Sequence, residues 1–90
     1  MRAETAAALE EMMIVAVETG YASGAYVPGL RIGGKTGTAE VHDGEPHAWF
    51  IGFGESGQSS MAISVVLEHG GSGGALASTL GGAMLQTGLV

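Results

Sequence analysis

From Ala3 to Thr19, apolar and acidic residues recur at helical spacing. Leu9, Met13 and Ala16 fall on one face and Glu4, Glu11 and Glu18 on the opposite one, and Gly20 supplies a stop. Met12, Ile14 and Val17 widen the apolar stripe, so the pattern predicts a helix more than half buried, with Met12 and Met13 as core filler. Tyr21–Gly29 reads as a loop. The run LRIGGKTGTAEV, Leu30–Val41, reads as a strand whose glycines mark close approach by another backbone or a ligand. Asp43-Gly44 signals a turn. AWFIGFG, Ala48–Gly54, is apolar at alternate and intervening positions alike, which predicts a strand buried on both faces, with Trp49, Ile51 and Phe53 in the core. ESGQ turns the chain back into Ser60–Glu68, where Met61, Ile63, Val65 and Leu67 alternate with smaller residues. GGSGG then breaks the pattern before a small-residue helix over residues 75–87. The fold class is α/β in the broad sense, more narrowly α+β: helix, three-stranded antiparallel meander, helix.

Composition narrows this reading. Seventeen glycines and two prolines in 90 residues far exceed the roughly 12% of ordinary usage. With 46% hydrophobic and 13% charged residues, the chain can build a core. At this size it amounts to one domain at most. The net charge of −6 comes without a basic cluster, so nucleic acid is not an expected partner. The absence of cysteine removes disulfides, thiolate metal sites and a thiol nucleophile. No signal peptide or membrane-spanning segment is expected from the hydropathy pattern.

Two local patterns imitate catalytic motifs. GLRIGGKT, Gly29–Thr36, satisfies the phosphate-loop spacing, but Leu30-Arg31-Ile32 reads as strand and no helix can start after Thr36. GGSGG, Gly70–Gly74, fits a serine nucleophile elbow, yet no Asp, Glu or His follows Ser72 to complete a triad in that order. His42, Asp43, Glu45 and His47 crowd one loop without a recognised ligand spacing, and an exposed loop is the expectation there, with no metal and no cofactor. Glu40 has two possible cationic partners, Lys35 and Arg31.

The third pattern is GGKTGTAE, Gly33–Glu40, followed after a short loop by HAWFIGFG and by a strand ending VVLEHG. Together with the preceding helix and the Val-Pro-Gly approach, it resembles the C-terminal part of a penicillin-binding protein transpeptidase domain, of the class B type, in the superfamily of penicillin-recognising serine enzymes. The resemblance covers essentially all 90 residues and implies an incomplete portion of the β-lactamase/transpeptidase-like fold. Lys35 is the only lysine in the chain. With the hydroxyls of Thr36 and Thr38 it offers charge-assisted hydrogen bonds to a carboxylate, such as that of a β-lactam or a peptide ending in D-Ala. Gly37 keeps the strand bare for substrate backbone. By resemblance, the backbone N–H of Thr38 is one of two oxyanion-hole donors. Trp49 is a candidate substrate contact if its strand pairs with the motif strand.

The departures from the family pattern carry equal weight. A one-lysine chain can hold S-x-x-K only with Ser at position 32, which is Ile32, and the chain contains no Asn for S-x-N. Residues 1–90 are therefore expected to be a partial domain that lacks the nucleophile half and forms no acyl-enzyme alone. The expected partners are the peptidoglycan stem peptide and β-lactams through the intact domain, and the missing half or a self-associated dimer. By resemblance the intact protein works in cell-wall synthesis at the extracytoplasmic face of the bacterial membrane. The family sheet has five strands, which leaves Ser60–Glu68 facing an absent neighbour with no Lys, Arg or Pro to blunt its edge. The alternatives are a non-catalytic peptide-binding module with an exposed strand edge, or part of a related D-Ala-D-Ala carboxypeptidase or serine β-lactamase.

Overall fold

The computed structural model describes residues 1–71 and 74–89. Its elements are α1 (Ala3–Thr19), a short 3-10 turn (Ser23–Ala25), β1 (Arg31–Ala39), β2 (His47–Ser56), β3 (Ser59–Leu67) and α2 (Ala75–Leu89). The three strands form one antiparallel sheet in the order β1-β2-β3. Helix, antiparallel meander and helix thus follow one another as the sequence pattern requires.

Local chemistry accounts for the boundaries. Helix α1 ends where Gly20 and Ala22 both donate their N–H groups to the Ala16 carbonyl, at 3.0 and 3.1 Å. The β2–β3 turn is tighter than ESGQ implies. Glu55 pairs with Ser60 and Ser56 with Ser59, which confines the turn to Gly57 and Gln58, with Gly57 at φ 61°. Strand β2 consequently runs two residues past Gly54. Strand β1 is shorter than the Leu30–Val41 run, because pairing with β2 stops at Ala39↔His47. Ser72, the serine of the elbow-like pattern, lies outside the described residues.

The core gathers Val17, Ala22, Ala25, Ile32, Phe50, Val65, Ala77 and Leu85. Phe50 is fully buried at its centre. Gly34, Gly52 and Gly81 leave room for its ring, since a Cβ at any of them would strike it. Gly82 likewise lets α2 approach the Ala25 backbone. A full Phe side chain removed from water contributes about 1.5–3 kcal/mol, so the glycines exchange their own packing for one large central side chain. Along β3 the expected alternation holds: Met61, Ile63, Val65 and Leu67 turn inward, and Ser60, Ala62, Ser64 and Val66 are exposed.

Two burial expectations fail for one reason. In α1 only Ile14 and Val17 are buried, while Met12 is 61% exposed and Val15 49%; Met12 is not core filler, and Met13 is half-buried. In β2 the Ala48, Phe50, Gly52, Gly54 face is buried, but Trp49 and Phe53 are half-buried and Ile51 is 45% exposed. Helix α1 meets the sheet near Gly33, where its Ile14 backbone closes on the strand. The rest of its apolar surface, and Ile51 opposite Lys35, are left uncovered by the described residues.

Candidate functional site

Strand β1 is an edge strand, paired only with β2 among the described residues. Alternation sends Lys35 to the exposed side and buries Thr36, while Gly37 is half-buried and Thr38, on the same face as Thr36, is exposed. The phosphate-loop pattern is thereby excluded, since Gly33 to Ala39 is continuous strand with no helix starting at the lysine. A groove of about 560 Å³ opens beside the strand, lined by Lys35, Thr36, Gly37 and Thr38 on one wall and by Met12, Val15 and Tyr21 among others on the other.

The Lys35 ammonium donates to the Thr36 carbonyl at 2.6 Å and lies 5.9 Å from the centroid of the Trp49 ring. Among the described residues no carboxylate pairs with it. Glu40 takes neither possible partner among the described residues. Arg31 instead bridges Glu10 of α1, at 2.6 Å, and Glu55 of β2. Those hydrogen bonds, Glu10 first and then Glu55, push the guanidinium pKa above its usual value. The effect is to tie α1 to the start of the motif strand. Thr36 is only 8% exposed; it lines the groove and packs against Gly74 at the approach to α2.

Trp49 is the register partner of Gly37, and a Cβ at position 37 would fall inside the indole. The tryptophan thus comes onto the motif strand, as pairing of the two strands requires. The sequence reading put Met12 in the core and Tyr21 in a loop and did not single out Val15, so it gave none of the three a place at the site; helical periodicity marks a residue as apolar without saying what it faces. The acidic-histidine loop does not converge on a metal-binding group of three or more His, Asp or Glu among the described residues. His47 of that loop instead contacts His69.

A family profile, "Penicillin binding protein transpeptidase domain", matches residues 1–86. The chain belongs to the penicillin-binding protein transpeptidase family. The "Peptidoglycan D,D-transpeptidase PbpA" of Mycobacterium tuberculosis is 38% identical over 95 aligned residues, covering 96% of this chain and 19% of that protein. The protein of the same name from Mycolicibacterium smegmatis is 36% identical with the same coverage. Among solved structures, penicillin-binding protein A from M. tuberculosis, described as an imipenem acyl-enzyme complex, superposes with a TM-score of 0.77 at 38% identity, over 94% of this chain and 19% of that one. The D,D-transpeptidase domain of a peptidoglycan glycosyltransferase from Eggerthella lenta gives 0.71 at 28% identity, over 97% and 21%. This chain therefore spans about a fifth of the length of those transpeptidases, and its two helices and antiparallel sheet are part of the transpeptidase fold. No helix among the described residues is long and apolar enough to cross a membrane.

Proposed function

We propose that this chain supplies the K-T-G wall of a penicillin-binding D,D-transpeptidase that cross-links peptidoglycan outside the cytoplasm. Lys35, with the hydroxyls of Thr36 and Thr38, receives the carboxylate of a β-lactam or of a stem peptide ending in D-Ala. Gly37 admits substrate backbone along the strand, with Trp49 at its flank. The Thr38 N–H donates to the oxyanion formed when a serine attacks the scissile carbonyl, a donation worth about 2.7–4 kcal/mol of transition-state stabilisation. The serine and its base come from outside these 90 residues, since no Ser stands three residues before Lys35 and no Asn is present. The observation that carries the reading is a lysine ammonium without a carboxylate partner among the described residues, on an edge strand beside a groove, within a family match spanning nearly the whole chain.

The test is reconstitution with labelled penicillin. The chain alone should acquire no covalent label. Mixed with a separately produced remainder of the domain carrying S-x-x-K and S-x-N, it should restore labelling, with the label on the remainder. A stoichiometric adduct on any serine of this chain would overturn the assignment.

A further inference from the structure

Lys35 and Gly37 stand two residues apart on β1 and so face the same side of the sheet. Lys35 pairs directly with Ile51, and Gly37 with Trp49. Trp49 is therefore the diagonal neighbour of Lys35 across the two strands, a separation that a long side chain and an aromatic one can close. They close it here. The Lys35 ammonium lies over the indole, 5.9 Å from the ring centroid, and donates to the Thr36 carbonyl oxygen at 2.6 Å. The indole reaches this place because position 37 is glycine: Cε2, Cζ2 and Cη2 of its six-membered ring crowd the point where a Cβ would stand. Two restraints thus act on a charge carried by a flexible four-carbon stem.

Neither restraint cancels that charge. The Thr36 carbonyl takes one N–H of an ammonium that has three. The ring attracts the cation through its quadrupole and, unlike a carboxylate, does not neutralise it. We propose that Trp49 is a positioning residue for Lys35: its indole holds the ammonium beside the motif strand, in the place from which it meets a ligand carboxylate, and Gly37 leaves the room that lets it do so. The proposal rests on the reading of Lys35 as the carboxylate-binding group, and gives Trp49 a role that acts through the lysine. A lysine ordered before the ligand arrives loses less rotamer freedom when it binds. Indole offers a cation the strongest of the aromatic faces, so a phenyl ring holds the ammonium less well and leucine does not hold it. A contact of this kind at an exposed site favours the held arrangement about two- to fivefold, which sets the size of the effect to look for.

Lys35 is the only lysine and Trp49 the only tryptophan of the chain, so each gives an unambiguous NMR signal. In the full chain carrying isotope-labelled lysine, the ε-methylene protons of Lys35 are expected upfield of those of an unstructured lysine, with nuclear Overhauser contacts to the indole. Ring-fluorinated tryptophan keeps nearly the size of the indole but drains charge from its face. It should weaken those contacts about two- to fivefold while the amide signals of β1 and β2 stay in place, a response that packing alone would not give. In the domain reconstituted with its remainder, Trp49→Leu should raise the labelled-penicillin concentration for half-maximal acylation about two- to fivefold, more than it lowers the limiting rate. Trp49→Phe should recover part of that loss. Lys35 ε-protons at the unstructured position, or contacts indifferent to fluorination, would overturn the proposal and leave the carboxylate assignment untouched. So would acylation that Lys35→Ala slows and Trp49→Leu does not.

Discussion

Trp49 lies directly over Gly37: the two are partners across β1 and β2, and the indole fills the volume that a side chain at position 37 would need. The glycine of the motif is thus required by packing within the sheet, apart from any demand of a ligand. Gly37→Ala should destabilise the chain by about 1–3 kcal/mol through overpacking. Trp49→Ala in the same chain should recover part of that loss, a coupling visible in a double-mutant cycle by denaturant unfolding. Strictly additive effects would mean that the indole moves aside at no cost.

Phe50 makes the corresponding demand on the opposite face. It is fully buried and surrounded by glycines that have no side chains with which to collapse into a void. Phe50→Ala should cost about 3–5 kcal/mol, at the upper end for such a truncation, and Phe50→Leu less. For a domain of marginal stability the alanine variant is expected to unfold, so the leucine variant's denaturation midpoint is the measurement to make.

Much of this was legible in the chain. Alternation in Ser60–Glu68, glycine-spaced strand in Leu30–Val41 and helical spacing in Ala3–Thr19 each predicted the kind of element found, because each period is a local property. Which apolar face would be covered was not legible. Met12 and Ile51 have the same hydropathy whether another element packs on them or not, and both are exposed among the described residues. The partners of Arg31 were equally hidden, since Glu10 and Glu55 lie 21 and 24 residues away while Glu40 is nearer in sequence. The His47–His69 contact escaped for the same reason, with 22 residues between them.

Lys35 should matter to chemistry and little to folding. Its side chain is exposed and its one hydrogen bond among the described residues is to its neighbour's carbonyl. In the reconstituted domain, Lys35→Ala should slow acylation by labelled penicillin on the order of 10²-fold, with unfolding of the chain itself unchanged. An acylation rate equal to that of the parent chain would reduce Lys35 to a solvated edge charge.

The outer edge of β3 offers the last expectation. It is paired with β2 on one side only among the described residues, and residues 59–67 contain no charge and no proline. Beside it a second groove, of about 550 Å³, runs between β3 and α2, lined by Met61, Val65, Leu80 and Met84 among others. Leu80 and Met84 are 39% and 47% exposed, and Val66 on the sheet's other face is 62% exposed. An unpaired, uncharged, strand-favouring edge next to exposed apolar surface is a template for further strand pairing. Sedimentation of the purified chain should therefore show concentration-dependent association. Val66→Lys, which puts a charge on the exposed face, should weaken it, and the remainder of the domain should compete it away. A folded monomer at millimolar concentration, with β3 amides that exchange freely yet stay soluble, would show that this edge is protected by its own twist and needs no neighbour.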